Sequence, residues 1–321
     1  MAFWSKPPLA RHGALNSPTG DLPYRVGQGN WQAFEAVRFD INRVYDAAEG
    51  WSRALSGIEK PWLCWNIDSD WCLAQQRLVT RAGWTPVIGF DPRVGPPRDA
   101  VPGAVAIDFN KGLNLPVMYP HFVMEFAFLI ADRLAFWHSD LLVRLPLFLS
   151  IAKEFDNLRD GETMVTKNPR SRRQVLTGTH KRHWELIGCT TRAASRSQFE
   201  NGAGWWMGFA YHPSCPATDR IRRLKEYWDH GAGIFYWNKR CGGRVKVIRG
   251  QDIHEGHCTM IGNPNYRRSV PINTSDAKRN MMSELAAHFD LTEVCQRLQV
   301  SEICLDGKSH IRDRSSQQFT A

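Results

Sequence analysis

One short passage constrains the kind of sheet this chain can build. Pro61 to Ile67 is an apolar run, Asp68-Ser-Asp70 is a polar cluster suited to capping a helix, and Trp71 to Arg81 sets Leu73, Ala74, Leu78 and Val79 on a helical period. Gly83 follows where a helix end favours glycine, and Trp84 to Phe90 is a second apolar run ending in Asp91. Strand, helix, glycine and strand within about thirty residues form a βαβ unit, with parallel strands and a right-handed crossover. A parallel sheet is covered on both faces. The chain is therefore expected to be α/β, with a mainly parallel central sheet flanked by helices.

The remaining patterns fill in that plan. Trp31 to Ala48 carries Phe34, Val37, Ile41, Val44, Tyr45 and Ala48 on one helical stripe. Val101 to Ile107 reads as a short strand, Pro116 to Ile130 as a buried helix, Pro146 to Phe155 as another helix and Glu185 to Thr191 as a strand. Asp219 to Trp228 and Met281 to Phe289 read as helices, and Ile234 to Trp237 and Val245 to Ile248 as short strands around Cys241-Gly-Gly243. Residues 1–30 form a loose Pro, Gly and Ser-rich arm, 31–305 one domain and 306–321 a frayed tail.

Composition narrows the function classes. The longest apolar candidate for a membrane span, Phe122 to Leu134, is broken by Glu125, Asp132 and Arg133. With no apolar signal core at the start either, a cytoplasmic location is expected. The eight cysteines include no Cys-x-x-Cys pair and read as free thiols. Lysine plus arginine exceed aspartate plus glutamate by 41 − 32 = 9, which favours an anionic partner. Nine of the cations fall between Arg159 and Arg196, facing only Asp160, Glu162 and Glu185, and Thr166 to His183 reads as a basic loop. Neither strand of the βαβ unit is followed by a Gly-x-Gly-x-x-Gly or P-loop pattern, so classical dinucleotide and P-loop sites have no support in the sequence.

Four features carry chemistry. Leu134 to Trp137 is a buried strand that ends in His138-Ser139-Asp140, and ligands of open α/β sheets bind beyond such strand ends. Asp68 and Asp91 close the two strands of the βαβ unit, where they either contact a ribose or base or simply cap and turn the chain. Asp252 to Cys258 holds His254 and His257. Three apart, they do not form the His-Glu-x-x-His zinc-protease helix, but imidazoles can join Asp140 around a divalent first-row ion. Phe199 to Pro213 sets three glycines and bulky aromatics around one carboxylate, Glu200. That segment is either a platform for sugar or base faces or a tightly packed aromatic corner.

In this order, from Pro61 to Ile261, these features resemble the nucleotide-sugar-dependent glycosyltransferases of the GT-A fold. His138-Ser139-Asp140 stands where that family carries the Asp-x-Asp motif that holds a divalent ion against the donor diphosphate. Asp140 matches its second carboxylate, and His138 replaces the first, offering a nitrogen ligand and removing a negative charge. The segment around Glu200 is similar to the family's acceptor segment, and His254-Glu-Gly-His257 to the C-terminal histidine that completes the metal or diphosphate site. The resemblance implies a GT-A-like, Rossmann-related sheet with a nucleotide-binding half at about 58–145 and an acceptor half at about 146–262. It implies a metal-assisted hexosyltransferase using a UDP-type sugar and Mn or Mg.

Under it, donor contacts fall to Asp68, Asp91, Ser139 and Asp140, and metal ligation to His138, Asp140, His254 and His257. Arginines of 167–196 help hold the diphosphate. Glu200 is the general base of an inverting enzyme or the acceptor-positioning group of a retaining one. The acceptor is a glycan, a protein or modified DNA such as a hydroxylated base. Two other classes compete: a nucleotidyltransferase, whose glycine-rich start is missing after the first strand, and a non-catalytic nucleic-acid-binding protein, for which only the Lys167 to Arg196 cations speak.

Overall fold

β1 (Pro61–Asn66) is buried along its whole length, and its alternate side chains go to different cores. Leu63 and Trp65 enter one core and Trp62 and Cys64 the other. That is the period of two of a strand covered on both faces. The computed structural model describes residues 39–92, 94–115, 118–167, 183–206, 209, 212, 214–217, 230–249, 253–257 and 291–305. After β1, Asp68 accepts hydrogen bonds from the N–H groups of Asp70 and Trp71, both at 3.0 Å, and so starts α2 (Ser69–Arg81), the N-cap role open to a short acidic side chain. Gly83, at φ +75°, turns the chain into β2 (Thr85–Phe90), which pairs in parallel with β1 from Pro61↔Thr85 to Asn66↔Phe90.

The sheet has seven strands in the order β3-β2-β1-β4-β6-β5-β7. β3 (Val105–Ala106) lies parallel outside β2, and β4 (Arg133–Trp137) lies parallel on the other side of β1. β6 (Trp184–Thr191) runs antiparallel to both β4 and β5 (Glu162–Thr166), and β7 (Arg244–Ile248) pairs in parallel with β5. The sheet is mixed and mostly parallel. One face carries α1 (Ile41–Ala54), α3 (Pro120–Glu125), α4 (Ala127–Ile130), α6 (Arg192–Glu200) and α7 (His230–Arg240). The other carries α2, α5 (Leu145–Asp156), α8 (Leu291–Leu298) and α9 (Ser301–Cys304). No helix among the described residues is long and apolar enough to cross a membrane. Cys64, Cys72, Cys189 and Cys304 are buried free thiols, and burial pushes the Cys72 thiol up to about 12.

Several sequence expectations are corrected. The first helix does not span Trp31 to Ala48 as one stripe: residues 31–38 lie outside the described residues, Asp40 caps the helix by accepting from Asn42 N–H, and the helix continues to Ala54. The strand expected over Val101 to Ile107 shrinks to Val105–Ala106, because Ala104 N–H closes a turn onto Val101 and Gly103 takes φ +82°. The buried helix expected from Pro116 to Ile130 is two helices, broken at Phe126, because Phe128 N–H is taken by the Ser195 hydroxyl at 3.0 Å. Ile234 to Trp237 is not a strand but part of α7. Its Gly231 and Gly233 mark close backbone approach, since a Cβ at either would come within 2.0 Å of His183 O or 2.2 Å of Gly204 O. The helices expected at Asp219 to Trp228 and Met281 to Phe289 lie outside the described residues.

Among the described residues, the aromatic segment packs as a corner rather than an open platform. Trp205, Trp206 and Phe209 are buried, and Phe209 stacks on Phe199 with ring centroids 4.6 Å apart. The carboxylate inside it is Glu125, whose Oε2 accepts from Trp206 N–H at 2.8 Å. Burial pushes the Glu125 carboxyl up to about 8 from 4.5, against the pull of the Trp206 and Trp205 amides. Between those values the native state holds one proton more than the unfolded chain, so stability falls as pH rises. Urea denaturation across pH, read as the difference between wild type and Glu125→Gln, is expected to show this loss at about 1.4 kcal/mol per pH unit within the window and a plateau beyond it.

Candidate metal centre

β3, β2, β1 and β4 all point the same way, and the chain leaves β1 for β2 on one side while β4 flanks it on the other. The crevice beyond the C-terminal ends of β1 and β4 is the switch point at which open α/β sheets take ligands. His138, Ser139 and Asp140 follow β4 into it. β6 runs the opposite way, with Trp137 opposite Ile187 and His138 N–H donating to Leu186 O at 2.8 Å, so the head of β6 and its Glu185 lie at the same edge.

The turn after β4 is held from two sides. From α2, the buried Gln75 donates through Nε2 to the carbonyls of His138 and Leu141, at 2.7 and 2.9 Å. From far along the chain, a single 3₁₀ turn (His254–Gly256) docks alongside, and His257 forms an antiparallel bridge with Leu141. Leu142 N–H donates to Gly256 O at 3.1 Å, an approach only glycine permits, because a Cβ at Gly256 would lie 1.8 Å from Leu142 O. Arg144 clamps Glu255 through Nε and Nη2 at 2.8 and 2.7 Å, holding that carboxyl below the ordinary range, and Arg297 donates to the Glu255 carbonyl.

Docking brings three donor atoms together. Asp140 Oδ1 is 3.3 Å from His257 Nε2 and 3.8 Å from His138 Nδ1, and the two ring nitrogens are 3.3 Å apart. Ligands at about 2.1 Å around a tetrahedral ion stand about 3.4 Å from one another, so this spacing fits a first-row divalent cation. Burial alone would raise the Asp140 carboxyl, but the charge and hydrogen bond of His257, with the charge of His138, hold it well below the ordinary carboxylate range.

The other sequence candidates fall as follows. Ser139 sits half-buried in the same turn. His254 belongs to the docked turn, and its side chain lies outside the described residues. Asp68 is committed to its N-cap, and Asp91 is buried at the end of β2, its carbonyl accepting from the N–H groups of Val94 and Gly95. Glu200 is exposed as the last residue of α6 and belongs to neither metal-ligating group of the described residues. Arg192 and Arg196 follow the C-terminal end of β6, the opposite end of the sheet, where Arg192 pairs with Asp132 at 2.8 Å; residues 168–182 lie outside the described residues.

Sequence reading missed Gln75, Arg144, Glu255, His121 and Glu185. The signal for the last two was a polar residue beside buried apolar ones, His121 before Phe122 and Val123 and Glu185 before Leu186 and Ile187.

No protein-family model matches this chain, and comparisons with curated proteins and with solved structures return no match.

Two substitutions separate the supports of the turn. Gln75→Leu takes the side-chain donor from the Leu141 carbonyl and leaves the His138 carbonyl only its bond from Leu141 N–H, and it is expected to lower stability by roughly 1–3 kcal/mol in chemical denaturation. Arg144→Met is expected to raise amide hydrogen exchange at 253–257 above that of β4, because it releases the docked turn and leaves the sheet intact.

Proposed function

We propose that the chain is a divalent-metal-dependent glycosyltransferase of the GT-A type, moving a sugar from a nucleotide sugar to an acceptor hydroxyl. The observation that carries this reading is the His138, Asp140 and His257 donor set at the switch point of the sheet, with spacings of 3.3 to 3.8 Å. Those three side chains would hold the ion, and two imidazoles with one carboxylate suit Mn²⁺ or a similar first-row divalent ion better than Mg²⁺. When bound, the ion supplies positive charge that offsets the charge growing on a leaving diphosphate.

The protein's own contribution is position. Gln75 fixes the turn that carries His138 and Asp140, and the Arg144–Glu255 pair fixes the turn that carries His257. Groups held in advance do not need to reorganise as charge develops. Ser139, half-buried in the turn after β4, would hydrogen-bond the hydroxyls or base of a donor, and Asp91, buried at the end of β2, is the other donor contact the resemblance assigns. Glu200 is the group the resemblance assigns to the acceptor, and Glu200→Gln is expected to suppress transfer while leaving donor hydrolysis in place.

The test is a panel of UDP- and GDP-sugars mixed with the full chain, with and without Mn²⁺, read by thermal stabilisation and donor hydrolysis. One donor is expected to raise the melting temperature and to be hydrolysed in a metal-dependent way, and Asp140→Asn to abolish both effects. If no nucleotide sugar stabilises the protein with or without metal, the reading is wrong.

A further inference from the structure

The polar cluster does not end at the first three donors. His138 presents Nδ1 to Asp140 and His257, and its opposite ring nitrogen, Nε2, lies 3.9 Å from Glu185 Oε1. His121, in the first turn of α3, sets its ring edge-on to His138, with centroids 5.8 Å apart and planes at 89°. One donor atom each from His121, His138 and Glu185 falls within 4.8 Å of the others.

We infer that His121, His138 and Glu185 form a second divalent-cation site, so that the His138 imidazole stands between two ions. Two imidazoles and a carboxylate are a donor set zinc takes readily, with a fourth position left for water or ligand. His121 and Glu185 are each only 6 % exposed. A carboxylate buried to that degree is costly unless a positive partner meets it. Glu185 Oε2 is buried with no hydrogen-bond partner among the described residues, which marks a position for a cation or its water. Gly231 of α7 keeps the surroundings of that oxygen clear, since a Cβ there would stand 2.9 Å from it.

His138 Nε2 and Glu185 Oε1, 3.9 Å apart, stand farther from each other than the roughly 3.4 Å between ligands of one tetrahedral ion, so binding draws them inward. Filling both sites uses both ring nitrogens of His138 as lone-pair donors, and the ring N–H proton leaves to solvent as the second ion enters. The two ions then stand about 6 Å apart across the ring, given metal–nitrogen distances of about 2.1 Å on each side. The first site supplies the edge that faces the crevice, and the second anchors the head of β6 and the start of α3 beneath it. This inference stands on its own donor set and does not require that the substrate be a nucleotide sugar.

The experiment is metal stoichiometry on the full chain after chelator treatment. ZnCl₂ is titrated by calorimetry, with bound metal measured after equilibrium dialysis. Wild type is expected to take two equivalents at these residues. Glu185→Gln and His121→Asn are each expected to take one fewer than wild type, Asp140→Asn also one fewer, and His138→Ala two fewer. Crystals soaked in ZnCl₂ are expected to give two anomalous peaks flanking His138, a readout that does not depend on any variant folding. A single peak on the Asp140 side, or a Glu185→Gln protein that binds as many equivalents as wild type, would overturn the second site. Either result leaves the sugar-nucleotide reading to its own assay.

Discussion

The centre of this molecule depends on one main-chain contact, the docking of the turn at 253–257 on the connection at 138–144. Leu142 N–H meets Gly256 O across a gap that no side chain at 256 would tolerate, and the bridge from Leu141 to His257 carries the imidazole to Asp140. The strand end alone offers one histidine and one carboxylate. Docking makes three converging donors. A buried backbone contact of this kind is specific because it must satisfy a donor and an acceptor together, and the bidentate Arg144–Glu255 pair fixes its register from outside.

The sheet then decides what else reaches this edge. The parallel strands β3, β2, β1 and β4 set the C-terminal ends in a row, and the reversed β6 brings the beginning of a strand to the same place. That reversal puts Glu185 at the His138 ring and sends Arg192 and Arg196 to the far end. A basic run that looks continuous in sequence is thereby divided in space, and the net positive charge gives no address for an anion by itself.

The parallel core was legible because its signals are local. β1, α2 and β2 sit within a residue or two of their expected bounds, with Asp68 and Gly83 at the ends as cap chemistry requires. β5 and α6 were not legible. Their buried faces hold Thr163, Thr166, Ser195 and Gln198, whose polar groups bond across elements, as in Thr163 Oγ1 to Thr190 Oγ1 at 2.8 Å and Gln198 Nε2 to Thr163 Oγ1 at 2.7 Å. A polar residue whose partner is distant in sequence looks like surface. Ile234 to Trp237 failed for the opposite reason, since a short apolar run has no period of its own and its flanking glycines serve close packing as well as turns. At the centre, His138, Asp140 and His257 were visible as residue types at a strand end and in a glycine turn. His121 and Glu185 were hidden in apolar elements, and it takes the antiparallel register of β6 for Glu185 and the packing of α3 for His121 to bring them to the same imidazole.

The central claim is that His138, Asp140 and His257 together hold a divalent ion beside a nucleotide diphosphate. The most direct measurement is a crystal soaked in MnCl₂ and UDP, with anomalous data collected near the manganese edge. The account predicts a manganese peak at about 2.0–2.2 Å from Asp140 Oδ1, His257 Nε2 and His138 Nδ1, with the diphosphate of UDP adjoining it in the crevice beyond β1 and β4. A map with UDP bound at another edge of the sheet, or with manganese absent from these three atoms while UDP is in place, would contradict it.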